Sequence, residues 1–530
     1  MKFSLITILF IISQICFSQS FQWVKNIAGS DDIEIKKIVN LQDNSFLLTG
    51  IYEGSINFDN QLISSIGNKD FFISKQDSSG NLIWLKSFGG FDDVEIEDIL
   101  VNNDNKIFIC GTFEGNIFLD SILLTNASGK NAFLAKLDSN GNLDWAKNFE
   151  SSSDVEANSI ELDLFKNKLS FVAEYESSVQ FDTINLISFG NKSLLFSRFN
   201  LDGTCNWYKE ISSQDEIRAT CLKHDSIGNI YCYGTFDGNI LFQNTVLSNS
   251  SEKDIFLIKT DTLGNLLWTK TVGGTDDVEA SKFFIRDTNL LITGTFSGTA
   301  NFQNSSISSS GDDDGFLASI SLENNESWVS TMNSSDEVSP NDIYVDDSNN
   351  IYIIGSIESD TYFDNIFIQN NSNEDLFICK YDIFGAAKWV KSIGGTDDIE
   401  GKTMFLNNKN ELIFSGTFEG SAFFDTITIS ALDEKDGFFG KLTFDSFNVS
   451  NLSLEKVKLV VFPNPTSDII NIHYNSISRK LITQLYDLNG KLLINSNSPV
   501  ISLENLKKGN YLLRILDGGE KLDEVIVTKQ

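Results

Sequence analysis

Trp84-Leu85-Lys86-Ser87-Phe88-Gly89-Gly90-Phe91-Asp92-Asp93-Val94-Glu95 returns as Trp268-Thr269-Lys270-Thr271-Val272-Gly273-Gly274-Thr275-Asp276-Asp277-Val278-Glu279, and again from Trp389 to Glu400. The recurrence is regular along the chain. All seven tryptophans, at positions 23, 84, 145, 207, 268, 328 and 389, stand 60 to 62 residues apart. A second marker keeps the same step: Gly50, Gly111, Gly234, Gly294, Gly355 and Gly416, with Ala173 standing in for the third glycine. A fixed period of this kind is the signature of a repeat architecture.

Within the second copy the pattern is β throughout. Val94 to Val101, Lys106 to Phe113, Ala132 to Leu137 and Leu143 to Asn148 read as four strands. Asn102 to Asn105 and Asp138 to Asn142 between them are turn-forming residues that tolerate hairpin geometry, so neighbours are antiparallel. Runs such as Ile107-Phe108-Ile109-Cys110 scarcely alternate, which indicates sheets covered on both faces. Seven four-stranded sheets stacked face to face predict an all-β, seven-bladed β-propeller over residues 21–445. Phe21 to Ile27 carries a tryptophan with no first three strands before it, and Gly401 to Thr443 supplies three strands with no tryptophan after them. Together they make one blade, a split-blade (velcro) closure that removes exposed sheet edges.

The recurring Trp-x-Lys-x-x-Gly-Gly-x-Asp-Asp-[Val/Ile]-Glu with its Gly-Thr-Phe-x-Gly resembles the SBBP-type bacterial β-propeller repeats over roughly residues 21 to 445. The resemblance implies the fold and leaves the ligand unspecified. Beyond it, residues 446–456 read as a linker and residues 457–530 as a small C-terminal β-sandwich. Pro463, Asn464 and Pro465, then Gly490, Gly509, Tyr511 and Lys529, fall in motifs that look like the type A sorting domain of the type IX secretion system of Bacteroidota. That likeness implies recognition by the secretion machinery, removal of the domain, and release or attachment to surface lipopolysaccharide.

The N-terminus agrees with export. Lys2, the apolar run Phe3 to Ile12 and a small polar end make residues 1–20 a signal peptide, with cleavage expected after Ser18 or Ser20. Cys16 follows Ile15, where a lipobox needs a small residue, and no later stretch approaches the length of a membrane span. The five remaining cysteines are odd in number and lack metal spacing; Cys221 and Cys232 are placed to pair, but buried thiols are the expectation.

Lys+Arg 40 against Asp+Glu 73 gives a net charge of −33, which excludes nucleic acid as a partner. The acidity belongs to the repeats: residues 453–530 carry ten Lys/Arg and eight Asp/Glu, leaving 29 against 65 before them once Lys2 is set aside. Two histidines, His224 and His473, cannot furnish a repeated metal site or serve a nucleophile readily, so any catalysis would fall to carboxylates.

The strongest constellation is nine residues after each tryptophan: Asp32, Asp93, Asp154, Glu216, Asp277, Glu337 and Asp398, acidic in every copy. Eight residues on stand Asp31, Asp92, Ser153, Asp215, Asp276, Asp336 and Asp397, and eleven on, Glu34, Glu95, Glu156, Arg218, Glu279, Ser339 and Glu400. Crowded carboxylates on one face call for relief by structural Ca²⁺ or by backbone amides and lysines. The expectation is amide-bonded structural turns, with no required cofactor. The function expected is a secreted or cell-surface binding or adhesion protein for a glycan or protein ligand. The alternatives are a carboxylate-dependent glycan-cleaving enzyme and a structural scaffold.

Overall fold

A computed structural model describes residues 19–286, 289–322, 327–444, 460–462, 465–466, 468–473, 481–488, 490–498, 500–517 and 520–530. The described residues hold strands and turns and no helix. The chain divides between Asp445 and Ser446 into two compact units. The signal peptide apart from Gln19 and Ser20, the linker 446–456, and Pro463 and Asn464 lie outside the described residues.

In the larger unit the repeating element is a four-stranded antiparallel sheet. In the second copy its strands are Val94–Val101, Ile107–Glu114, Lys130–Leu137 and Leu143–Phe149, hydrogen-bonded in that order. Seven of the eight residues of Ile107–Glu114 and six of the eight of Lys130–Leu137 are buried, because sheets cover these middle strands on both sides. Phe71, Ile96, Ile109 and Phe133, from two successive copies, share one buried cluster. The N-terminal strand Gln19–Gly29 runs antiparallel to Ile427–Phe444, with Ser20 opposite Thr443 and Ile27 opposite Gly437.

Two features of the sheets were not anticipated. First, the connection between the second and third strands folds into a hairpin that bonds to the preceding copy. Ile117 pairs with Gly90 and Phe118 with Gly89. The same junction joins Asn57 to Ala28, Phe242 to Ile211, Asn301 to Gly273, and Phe363 to Met332, and single bridges join Gln180 to Glu150 and Ala422 to Gly395.

Second, every first strand carries a β-bulge at the same place. The register breaks at Ile35/Lys37, Ile96/Asp98, Ala157/Ser159, Ala219/Cys221, Ala280/Lys282, Pro340/Asp342 and Gly401/Thr403. One residue per copy, thirteen after the tryptophan, is thereby left out of the ladder. Bulges of this kind re-aim side chains.

The tryptophans are consumed by packing between copies. A Cβ on Gly141 or Gly264 would stand 3.1 Å from the Trp84 ring and 2.9 Å from the Trp207 ring, so the turn of the next copy sits directly on the indole. Gly141 also holds φ near +77°, which an L side chain resists. The Trp145 and Trp207 indoles donate to the Leu201 and Thr262 carbonyls at 3.2 and 3.1 Å. Cys221 lies opposite Tyr233 and Cys232 opposite Leu222, so the two side chains leave opposite faces of their sheet and both remain thiols.

The smaller unit has two sheets. One orders Val460–Phe462, Ile469–His473 and Val500–Ser502; the other orders Leu492–Ser496, Leu481–Tyr486, Gly509–Asp517 and Glu520–Lys529. Ile470, Ile472 and Ile501 from the first share a buried cluster with Leu485, Leu513, Ile515 and Val527 from the second.

Candidate functional site

The acidic loops owe much of their shape to a buried carboxylate that the sequence motif did not expose. Asp70, Asp254, Asp314, Asp375 and Asp436 are buried. Each stands two residues before a phenylalanine, and the first four stand fourteen before a tryptophan. Asp70 accepts from the Ile66 amide at 2.8 Å, Asp254 from Ser250 at 2.7 Å, and Asp436 from Gly29 and Leu432 at 2.9 and 3.0 Å. A buried carboxylate this well supplied with amides needs no counter-ion. It also explains the first glycine of the motif's pair, since a Cβ on Gly89 or Gly273 would overlap the Asp70 or Asp254 carboxylate, while the second, Gly90 or Gly274, is crowded by the Asn116 or Thr299 carbonyl. We expect Gly273→Ala to lose about 1–3 kcal/mol by overpacking. The exposed neighbour Thr271→Ala should stay within about 0.5 kcal/mol. Urea midpoints compare the two, and equal midpoints would refute the fit.

The residues nine after each tryptophan are fixed first through their backbones. The carbonyls of Asp32, Asp93, Asp154, Glu216, Asp277, Glu337 and Asp398 accept amides from Glu53, Glu114, Glu176, Asp237, Ser297, Glu358 and Glu419 at 2.8 to 3.1 Å. Their side chains diverge. Asp154 and Asp277 accept the Lys130 and Lys253 amides at 2.9 and 3.1 Å, Glu216 meets the Lys192 ammonium at 2.7 Å, and Glu337 accepts from Ser339 at 2.6 Å. Asp93 leaves its Oδ1 buried without a partner. Asp32 gathers with Asp31 and Glu434, Asp277 with Glu252 and Asp276, and Asp398 with Asp397 and Glu419.

Lysine answers this charge in most copies. Lys69, Lys130, Lys192, Lys253 and Lys435 pair with Glu95, Glu156, Glu216, Glu279 and Glu400 at 2.5 to 3.6 Å. At the equivalent place two copies carry Asp313 and Glu374. Burial pushes the Glu374 carboxyl up to about 7, with Glu400, Asp398 and Glu358 adding to the rise, and burial beside Glu337 raises Asp313 as well.

The bulges converge on a different place. Glu97, Asn158, Thr220, Ser281 and Asn341, each the bulged residue of its own copy, line one cavity of about 690 Å³. Beneath them the next residues tie copy to copy. Asp98 pairs with Lys37 and accepts from Ser159 Oγ at 3.1 Å and the Ile160 amide at 3.0 Å; Asp342 accepts from Thr403 Oγ1 at 2.9 Å and the Met404 amide at 3.1 Å. Glu174 and Arg218 also line the cavity, at places where most other copies carry Thr or Ser, and Glu, respectively. Burial raises both Glu97 and Glu174 to about 7. The sequence held a signal for two of them: Glu174 and Arg218 replace residues that recur in most other copies, whereas the position of Glu97 varies throughout.

In the smaller unit the described sorting residues stand at turns and strand ends. Thr466, beside Pro465, bridges to the last strand through the Thr528 carbonyl and the Gln530 amide, both at 2.9 Å. Gly490 closes the Asp487 turn, Gly509 opens its strand, and the Tyr511 hydroxyl donates to the Lys507 carbonyl at 2.6 Å. The buried Lys529 ammonium donates to the Leu503 and Glu504 carbonyls at 2.5 and 2.9 Å.

Residues 460–529 match the family described as the secretion system C-terminal sorting domain. The protein is exported to the cell surface or beyond it. Its C-terminal domain is read by the type IX secretion machinery, and no helix of the described residues is long and apolar enough to cross a membrane. No curated protein sequence matches the chain. Among solved structures it is similar to the polysaccharide lyase Uly1, at 10% identity and a TM-score of 0.39, covering 80% of this chain and 92% of that one. It is also similar to the phage phi92 endosialidase, at 10% and 0.38, covering 97% and 87%. A third is PorZ, a surface component of the type-IX secretion system of Porphyromonas gingivalis, at 10% and 0.26, covering 96% and 86%. At this distance the likenesses bear on neither substrate nor role.

Proposed function

We propose that residues 19–444 form a seven-bladed β-propeller of the SBBP kind, closed by the Gln19–Gly29 strand, and that it serves as a secreted or surface-held binding protein. The C-terminal unit is then a β-sandwich that directs export. The observation that carries the binding reading is the convergence of five bulge residues of four kinds, Glu97, Asn158, Thr220, Ser281 and Asn341, on one cavity. A repeat fold builds its frame from what recurs, and a site from what differs at equivalent places.

A glycan-cleaving activity is the second reading, favoured by two carboxyls, Glu97 and Glu174, held near 7 in the same cavity. Arrays of glycans and short peptides, probed with the secreted protein beside a hydrolysis screen of the same compounds, separate the readings. The expected result is saturable binding with every ligand recovered intact. Products that vanish in Glu97→Gln would replace binding by catalysis, and silence in both assays would leave a scaffold.

A further inference from the structure

Three of the cavity's carboxylates are already answered by lysines: Glu156 by Lys130, Glu216 by Lys192 and Glu279 by Lys253. Subtracting those pairs leaves an asymmetric remainder. Glu97 and Glu174 on one side, and Arg218 and Lys282 on the other, line the cavity with no ion pair to any described residue; Asp237 also lines it unpaired, its carboxylate accepting from the Gly238 amide at 2.6 Å and the Asn249 side chain at 3.1 Å. Arg218 is exposed, and Lys282 follows a bulged residue as Asp98 does.

The shape of this remainder restricts the ligand. The cavity wall is polar, and its single aromatic side chain, Phe236, is buried. The tryptophans whose packing is described sit under the turns of neighbouring copies, so a neutral sugar finds no ring to stack on. A simple anion enters against the field of 65 carboxylates to 29 cations. A simple cation meets Arg218 and Lys282, which make no ion pair although Arg218 lies near Glu97 and Glu174 and Lys282 near Asp98. A ligand that carries both charges satisfies both sets and crosses the field without net cost.

We infer that the cavity is a binding site for a compact zwitterion, of the class of a short peptide with free ends, its ammonium held by Glu97 and Glu174 and its carboxylate by Arg218 and Lys282. This deepens the binding reading above and rests on it. Charge-assisted hydrogen bonds to carboxylate and guanidinium supply the discrimination, since blocking either end leaves a charged wall group without its partner. The pH dependence follows from the surroundings. Glu97 faces Lys36, Arg218, Glu95 and Glu34, and Glu174 faces Lys192, Arg218 and Glu156. Burial outweighs the cations in both, so a proton occupies these carboxyls below about 7. Acid therefore removes the ammonium's counter-charge, and affinity falls as pH drops from 8 to 5.5.

Calorimetry with the secreted protein and three probes tests the inference: tri-alanine with free ends, its N-acetyl form and its C-terminal amide. Free tri-alanine should bind at least tenfold more tightly than either blocked form at pH 8. Arg218→Met should abolish the preference for the free acid over the amide. Glu97→Gln and Glu174→Gln should each weaken the preference for the free amine over the acetyl form and flatten the pH dependence. Each variant's melting curve is recorded first; should one fail to fold, the other two and the three-probe comparison on the unaltered protein still decide. Equal binding of the three probes, or none, overturns the inference. If array ligands still bind while tri-alanine does not, the zwitterion site falls and the binding reading stands; if neither binds, both fall.

Discussion

Deleting Gln19–Gly29 from the exported chain should abolish cooperative folding of the larger unit. The strand pairs with Gly437–Phe444 and, through Ala28 and Gly29, with Asn57 and Ile56. Phe21 and Ile27 are buried, and the Phe21 ring meets Phe414 and Phe424 at centroid separations of 5.5 and 5.2 Å. Burying each large apolar side chain contributes roughly 1.5–3 kcal/mol, so Phe21 and Ile27 together contribute about 3–6 kcal/mol, a large share of the stability of a typical domain. The deletion also exposes the edge of Ile427–Phe444, a template for aggregation. Phe21→Ala with Ile27→Ala is the milder test, expected to lower the urea midpoint strongly while keeping the protein soluble. A synthetic Gln19–Gly29 peptide should restore the melt of the deleted chain in trans. A deletion that melts like the parent would refute the proposed closure.

Much of the frame was legible because it is written in spacing. A tryptophan every 60 to 62 residues and a glycine within each second strand are constraints on backbone approach: a Cβ on Gly111 would overlap the Glu95 carbonyl, and Ala173 is the one substitution. The junction hairpins escaped notice because Ile117–Leu119 and Ile122–Leu124 are three residues each, too short to establish a period of two. The bulges escaped because a bulge is a property of register between two strands and leaves no mark on either one alone.

The site was legible only in part, and for a related reason. Attention to what recurs led to Asp93, Asp277 and Asp398, whose carbonyls and turns build the loops. The buried aspartates, such as Asp254, looked like any acid on an acidic surface, since sequence does not reveal which carboxylate is surrounded by amides. Glu174 and Arg218 are departures from the pattern, Glu97 stands at a bulged position that varies from copy to copy, and the fold brings the three to one cavity.

The third copy, whose glycine marker is replaced by Ala173, holds to its neighbour through an arginine where the fourth copy has the equivalent pair Lys259–Asp225 at 3.2 Å. Arg198 and Asp163 form an ion pair at 2.5 Å with side chains only 3% and 1% exposed. Asp163 also accepts the Phe165 and Lys166 amides at 3.2 and 3.0 Å, while Arg198 reaches the Gly228 and Thr262 carbonyls of the fourth copy at 3.4 and 3.3 Å. Equivalent positions carry Lys75, Lys136, Lys259 and Lys380, which lack the planar fork needed to serve three acceptors together. Arg198→Met strands a buried carboxylate and should cost about 3–5 kcal/mol. Arg198→Lys should cost less, about 1–3 kcal/mol, because the charge remains and the bridges to Gly228 and Thr262 are lost. Adding Asp163→Leu to Arg198→Met should recover part of the loss, since removing both charges is less costly than leaving one; the cycle measures the coupling directly. Urea midpoints of the parent, Arg198→Met, Arg198→Lys, Asp163→Leu and the double variant decide the matter. If Arg198→Met lies within about 0.5 kcal/mol of the parent, the pair holds nothing and the third copy is secured by its apolar packing around Phe149, Phe171 and Phe199.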